Sequence, residues 1–130
     1  MNESDPYGDG TYGGIPYEDL PIESIDWTHT REHVEERASR KGTTEFSPTT
    51  TEATQAALDP YRLVGPGSKR SIRLIGLSVD AQPRPGEIGR VLKVYLVPKA
   101  LHLGDWWGAT AMEANRGERR LYRLSRGEDH

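Results

Sequence analysis

Alternation of apolar and polar residues predicts that the second half of the chain consists mainly of strands. The apolar positions of residues 71–79 predict a buried strand, and residues 90–97 alternate regularly between two faces. Shorter strands are predicted at residues 61–65 and 106–111. Between the two long strands, residues 80–89 contain two prolines and two glycines and predict a loop.

The first half of the chain predicts two helices after a short extended segment at residues 25–27. The first helix has Thr28 or Thr30 as its N-cap and runs to about residue 41. Ser47 followed by Pro48 predicts a cap with proline at the first helical position of the second helix, and Thr49 with Glu52 predicts a capping box. That helix is predicted to run to about Leu58 and to be stopped by Asp59 and Pro60.

A third helix is predicted at about residues 113–123, so the order of elements predicts an α+β fold. We expect two N-terminal helices and one C-terminal helix, packed on a three- to five-stranded antiparallel sheet. Residues 1–22 are rich in Gly, Pro, Asp and Glu, which predicts a flexible acidic tail. The folded domain is then expected over residues 23–124, with a short polar tail at 125–130.

Composition excludes several classes of site. The 130 residues include no cysteine, so neither a disulfide framework nor a thiolate metal site is expected. The four histidines form no zinc signature, and we expect no metal and no cofactor. No apolar run has the length of a signal peptide or a membrane-spanning helix, which leads us to expect a cytoplasmic protein without a membrane partner.

Charge is distributed unevenly along the chain. Residues 1–60 carry 4 Lys/Arg and 13 Asp/Glu, a net charge of −9, whereas residues 61–130 carry 13 and 7, a net charge of +6. A basic second half favours contact with a polyanion such as RNA. The alternative is an arginine-rich helix surface of the kind that many proteins expose to water.

Three segments, in order along the chain, carry a resemblance to a known family. They are residues 25–27 (Ile-Asp-Trp), residues 46–60 (from Phe-Ser-Pro to Leu-Asp-Pro) and the block WWGATAMEANRGERRLYR at residues 106–123. Together they resemble BrnT toxins of the RelE-like group. The resemblance implies a small RelE-like domain that cleaves RNA without a metal and is held in check by a cognate antitoxin, in a hetero-oligomer.

Two positions depart from the family pattern. The family's Ser-Ala-Arg element has its arginine at the position of Met112, and the lysine that often follows lies at Glu113. These departures lead to a second hypothesis, a binding module for RNA or protein that has lost nuclease activity. A DNA-binding protein is a third hypothesis, for which the sequence offers no helix-turn-helix spacing.

Metal-free RNA cleavage needs a proton-transfer group and cations that stabilise the phosphorane. His33, Arg37 and Lys41 share one helical stripe, which makes His33 or Lys41 the candidate for proton transfer. Arg73, Lys93 and Arg119 are the candidates for holding phosphate. The alternative for the helical stripe is a solvated surface balanced by neighbouring glutamates.

Further residues are candidates for RNA binding without a catalytic role. Stacking or phosphate contacts are expected from six of them: Arg37, Tyr95, Trp107, Arg116, Arg120 and Arg123. Adjacent Trp106 and Trp107 must point to opposite faces of their strand, so one is expected in the core. For the cations, the alternatives are an amphipathic strand facing water and a helix with favourable charges towards its C-terminus.

Overall fold

The computed structural model describes residues 11–37, 46–100 and 104–127. Within these ranges it contains seven strands and three α-helices, with a 3-10 turn at Tyr17–Asp19. The elements in chain order are β1 (Thr11–Tyr12), β2 (Ile15–Pro16), β3 (Ser24–Asp26), α1 (Arg31–Glu35), α2 (Thr50–Ala57), β4 (Leu63–Pro66), β5 (Ile72–Ser78), β6 (Arg90–Ala100), β7 (Asp105–Glu113) and α3 (Arg116–Ser125).

Five of these strands form the central sheet, in the order β3-β7-β6-β5-β4. Strands β4 to β7 form an antiparallel meander, whereas β3 pairs in parallel with the first part of β7. Strands β1 and β2 form a separate two-stranded sheet. The central sheet is therefore mixed.

The prediction of a RelE-like domain with an antiparallel sheet is wrong. The parallel edge strand β3 and the additional β1-β2 sheet contradict it. The direction of β3 is set by pairing with residues 81 positions later, which no local pattern of Ser24 to Asp26 specifies.

The helices also differ from their predicted positions. Helix α1 is described over five residues, and the predicted continuation to residue 41 extends outside the described part of the chain. Helix α3 begins at Arg116 because Asn115 caps it, whereas Glu113 still belongs to strand β7. The second helix begins at Thr50 with the predicted capping box, in which Thr49 accepts from the Glu52 amide, and not with the predicted Ser47-Pro48 start.

The two faces of the sheet are covered by different helices. On one face, Ala53, Ala56 and Ala57 of α2 are fully buried against residues such as Leu74 and Val94. A side chain at Gly76 would overlap the Ala56 carbonyl oxygen, so this glycine permits the close approach of α2 to β5. On the other face, α3 packs on a smaller cluster that includes Ile75 and Tyr122.

Residues 11–22, which the sequence predicted as part of a tail, pack on the sheet. Tyr12, Tyr17 and Leu20 are buried in the same core cluster as Trp106. The Tyr12 hydroxyl donates to the Arg70 carbonyl oxygen at 2.6 Å. The local composition is polar, but these three side chains bury apolar surface on the sheet, and that burial favours an ordered segment.

Candidate nucleic-acid interface

The sheet exposes a continuous row of side chains on the face that carries α3. Arg73 of β5 lies opposite Tyr95 of β6, which lies opposite Thr110 of β7. Directly opposed residues on antiparallel strands project from the same face. Val97 and Trp107 form the next opposed pair along the same face. We call these five residues, together with the turn at residues 68–71, the open face.

A concavity of about 450 Å³ lies on the open face beside the β4-β5 turn. Lys69 and Arg70 of this turn are exposed and form no ion pair with any described residue. Lys69 has a positive φ of 56°, an uncommon conformation for a residue other than glycine. The turn thus places two unpaired cations at the rim of a concavity that contains the Tyr95 ring.

Trp107 provides a second partly exposed aromatic ring on the open face. The Lys99 ammonium lies 4.1 Å from the Trp107 ring centroid, and the His29 ring centroid lies 5.1 Å from it. Lys99 also pairs with Asp26 at 2.8 Å, and together with Thr28 it holds the pKa of the Asp26 carboxyl below its usual range. Trp106 points to the opposite face and is buried, as the alternation predicted.

Two of the predicted phosphate-binding residues meet at a carboxylate. Lys93 Nζ lies 3.2 Å from Glu118 Oε1, and Arg73 Nη1 lies 3.9 Å from Glu118 Oε2. Glu118 also closes the capping box of α3 by accepting from the Asn115 amide at 2.9 Å. Lys93 is therefore largely neutralised, while the side chain of Arg73 stays 39% exposed.

Arg119 and Arg37 lie near the end of β7. Arg119 contacts Glu113 at 3.9 Å and donates to the Ala114 carbonyl oxygen at 2.8 Å. Arg37 Nη2 lies 3.5 Å from the Thr110 hydroxyl, which links the segment after α1 to the open face.

The predicted catalytic residues that the structure describes lie on separate elements. His33 is exposed on α1, whose Val34 belongs to the core cluster on the α2 side of the sheet. Arg73 and Lys93 project from the opposite side, where Ile75 and α3 lie. Lys41 lies outside the described residues. Among the described candidates, Arg73 and Lys93 thus meet at Glu118, whereas His33 lies on a different element, α1, which packs at β7.

The remaining arginines of α3 are directed to solvent or to a loop. Arg116 and Arg120 are exposed. Arg123 pairs with Glu87 of the β5-β6 loop at 2.7 Å. These three cations therefore do not extend the open face.

Lys69, Arg70 and Lys99 were not among the predicted site residues. A signal for Lys99 was present, because the alternation of Lys93, Tyr95 and Val97 continues to it. The predicted strand ended before Pro98, whereas β6 continues through this proline with an irregular register against β7. Lys69 and Arg70 lie at the site because β4 pairs with β5, which places the turn between these strands beside Tyr95.

Comparison of the chain with protein-family models, curated proteins and solved structures gives no significant match. The resemblance to BrnT toxins stays a prediction. None of the helices that the structure describes is long and apolar enough to cross a membrane. In the same part of the chain, no three His, Asp or Glu side chains are grouped in a way that would hold a metal ion.

Proposed function

We propose that this protein binds single-stranded RNA through the open face. The observation that carries the proposal is the placement of two partly exposed aromatic rings, Tyr95 and Trp107, on one sheet face beside Lys69 and Arg70, two cations that pair with no carboxylate in the described part of the chain. Bases stack on the rings, and the cations of the turn contact the phosphates.

The geometry favours a single strand over a duplex. Stacking on a side-chain ring requires a base whose own face is accessible, and bases within a duplex are already stacked on each other. Tyr95 lies within a concavity bordered by the β4-β5 turn, which a single unpaired base can enter. Arg73, half exposed beside Tyr95, supplies a further phosphate contact.

The arrangement supports binding more than cleavage. A metal-free ribonuclease needs its proton-transfer group next to its phosphate-holding cations. His33 lies on α1, which packs at β7, whereas Arg73 lies on β5, two strands away from β7 in the sheet, and Lys93 is paired with Glu118. The second candidate is the toxin hypothesis, with an antitoxin partner and RNA cleavage, which the residues at 106–123 support. The experiment described below tests it as well.

The test is fluorescence anisotropy of a labelled RNA single strand of mixed sequence, titrated with the native chain and with variants. Tyr95→Ala should weaken binding by about tenfold, because stacking of one base contributes about 1–3 kcal/mol. Tyr61→Ala is the matched control, since Tyr61 is 53% exposed and lies outside the open face. Double-stranded RNA should bind more weakly than the single strand.

Two results would overturn the proposal. One is the absence of binding at low salt, and the other is an equal loss of affinity in Tyr95→Ala and Tyr61→Ala. The same samples, incubated with a chelator and separated on a denaturing gel, report cleavage. Cleavage that disappears in His33→Ala would favour the toxin hypothesis over a binding module.

A further inference from the structure

A second concavity, of about 560 Å³, lies where the end of β7 meets the start of α3. Four guanidinium groups line it, and Glu113 is its only carboxylate among the described residues. The four cations come from distant parts of the chain: Arg37 from the segment after α1, Arg84 and Arg90 from the β5-β6 loop and the start of β6, and Arg119 from α3. We call this group the arginine pocket.

Three of the arginines share the one carboxylate. Arg84 Nε lies 2.5 Å from Glu113 Oε2, and Arg84 Nη2 lies 3.0 Å from Oε1. Arg90 Nη1 approaches Oε1 at 3.4 Å, and Arg119 Nη1 approaches Oε2 at 3.9 Å. One negative charge therefore faces three positive charges, and Arg84 forms the closest contacts with it.

Arg37 adds a fourth positive charge without a carboxylate among the described residues. Its Nε is buried and has no hydrogen-bond partner there, and its Nη2 has only the 3.5 Å contact with Thr110. Buried guanidinium N–H groups normally have acceptors. The unsatisfied donor and the surplus of positive charge both favour binding of an anion at this place.

Arg90 and Arg119 are held in place independently of Glu113. The Arg90 guanidinium lies 4.1 Å from the Phe46 ring centroid, and its Nε donates to the Gln82 carbonyl oxygen at 2.6 Å. Arg119 is fixed by the Ala114 carbonyl oxygen at 2.8 Å. These guanidinium groups are thus preorganised, so an anion does not have to order them when it binds.

We propose that the arginine pocket binds a phosphate group as a dianion, held by Arg37, Arg90 and Arg119 while Arg84 retains Glu113. The planar guanidinium fork matches the oxygens of phosphate, and a dianion offsets most of the surplus charge. The phosphate is either free or the terminal phosphate of an RNA strand. The second source is near, because Arg37 contacts Thr110 of the open face.

The experiment titrates inorganic phosphate into the full chain by calorimetry at constant ionic strength, with chloride as the reference anion. Native protein should bind phosphate, and Arg37→Gln should lose at least about tenfold in affinity because a charge-assisted contact is removed. Arg116→Gln is the matched control, since Arg116 is an exposed cation on α3 outside the pocket. Absence of phosphate-specific heat in the native protein, or equal affinity in Arg37→Gln, overturns the proposal.

A second variant keeps the test valid if Arg37→Gln does not fold. Glu113→Gln removes the internal carboxylate, so its thermal midpoint should rise with phosphate more than that of the native protein. An identical response in both proteins contradicts the proposal.

The source of the phosphate is assigned with two RNA strands of the same sequence, one with a 5′-phosphate and one with a 5′-hydroxyl. Preference for the phosphorylated strand, lost in Arg37→Gln, identifies the RNA end as the ligand. Equal affinity for the two strands, with phosphate binding intact, identifies a free phosphate. Because inorganic phosphate is the primary probe, failure of RNA binding at the open face leaves this test unaffected.

Discussion

The Tyr122 hydroxyl donates a hydrogen bond to the Asp59 carboxylate inside the protein, which joins α3 to the connection between α2 and β4. Both residues are buried. Asp59 also accepts from the backbone amides of Leu77 and Tyr61, each at 2.8 Å. Burial and the Asp59 contact raise the pKa of the Tyr122 hydroxyl well above its usual range, so it remains a donor across the physiological pH range.

Tyr122→Phe should lower the free energy of unfolding by about 1–3 kcal/mol, because it removes one donor from a buried carboxylate. Urea denaturation followed by circular dichroism measures the change. Tyr61→Phe, at an exposed position, is the control and should change stability by less than about 0.5 kcal/mol. A loss in Tyr122→Phe no larger than in the control would show that the buried pair does not stabilise the fold.

Asp59 illustrates which parts of the fold were predictable from sequence. Its position just beyond the second helix, which ends at Ala57 with Leu58 as C-cap, follows from the adjacent proline, a local effect. Its burial depends on Tyr122 and Leu77, which are 63 and 18 residues away, and no local pattern reports them. Likewise, the long strands follow from alternation, whereas the parallel direction of β3 and the burial of Tyr12 depend on distant pairing.

The candidate interface was predictable to a similar degree. Alternation placed Lys93 and Tyr95 on one strand face and separated Trp107 from Trp106, and the structure shows the same arrangement. Charge pattern alone could not show that Glu118 would neutralise Lys93, because the two residues meet only when α3 packs on the sheet. The sequence indicated which cationic and aromatic residues lie on the strands, but not which of them remain free of ion pairs and can contact RNA.

Gly76→Ala should destabilise the protein by about 1–3 kcal/mol or more, because the new methyl group would overlap the Ala56 carbonyl oxygen. The backbone of α2 would have to move away from β5. Gly117→Ala is the matched control, since a Cβ there lies 3.6 Å from Asn115 Oδ1, an ordinary contact, and alanine favours helix. Urea denaturation of both variants should give opposite signs. Equal stability of Gly76→Ala and the native chain would contradict the close approach of α2.

Glu35 should make the stability of the α1-α2 contact depend on pH. Its carboxylate accepts from the Thr50 amide at 2.9 Å, and this hydrogen bond lowers the pKa of Glu35 from the ordinary value of 4.5. Since the folded state binds the proton more weakly, this stabilisation is complete above about pH 4.5 and is lost as the pH falls through the lowered pKa.

Glu35→Gln should therefore be less stable than the native protein at neutral pH, and the difference should shrink as the pH falls below 4.5 through the lowered pKa of Glu35. Denaturation curves at a series of pH values measure it. Glu32→Gln, an exposed position on the same helix, changes the net charge equally without removing the Thr50 contact. A difference that grows on acidification would contradict the assigned contact.

Salt dependence should separate the cations of the open face from its aromatic rings. For a single strand, the logarithm of the binding constant falls with the logarithm of salt concentration by about 0.7 for each phosphate neutralised. Replacing both Lys69 and Arg70 with glutamine should therefore reduce the slope by about 1.4. Tyr95→Ala should weaken binding at every salt concentration and leave the slope unchanged, because stacking releases no counterions. The charge-matched control is the double variant Arg116→Gln and Arg120→Gln, which removes two exposed cations of α3. If this control reduces the slope as much as the turn variant does, the cations of the turn are not the preferred phosphate contacts, which contradicts the proposed use of the open face.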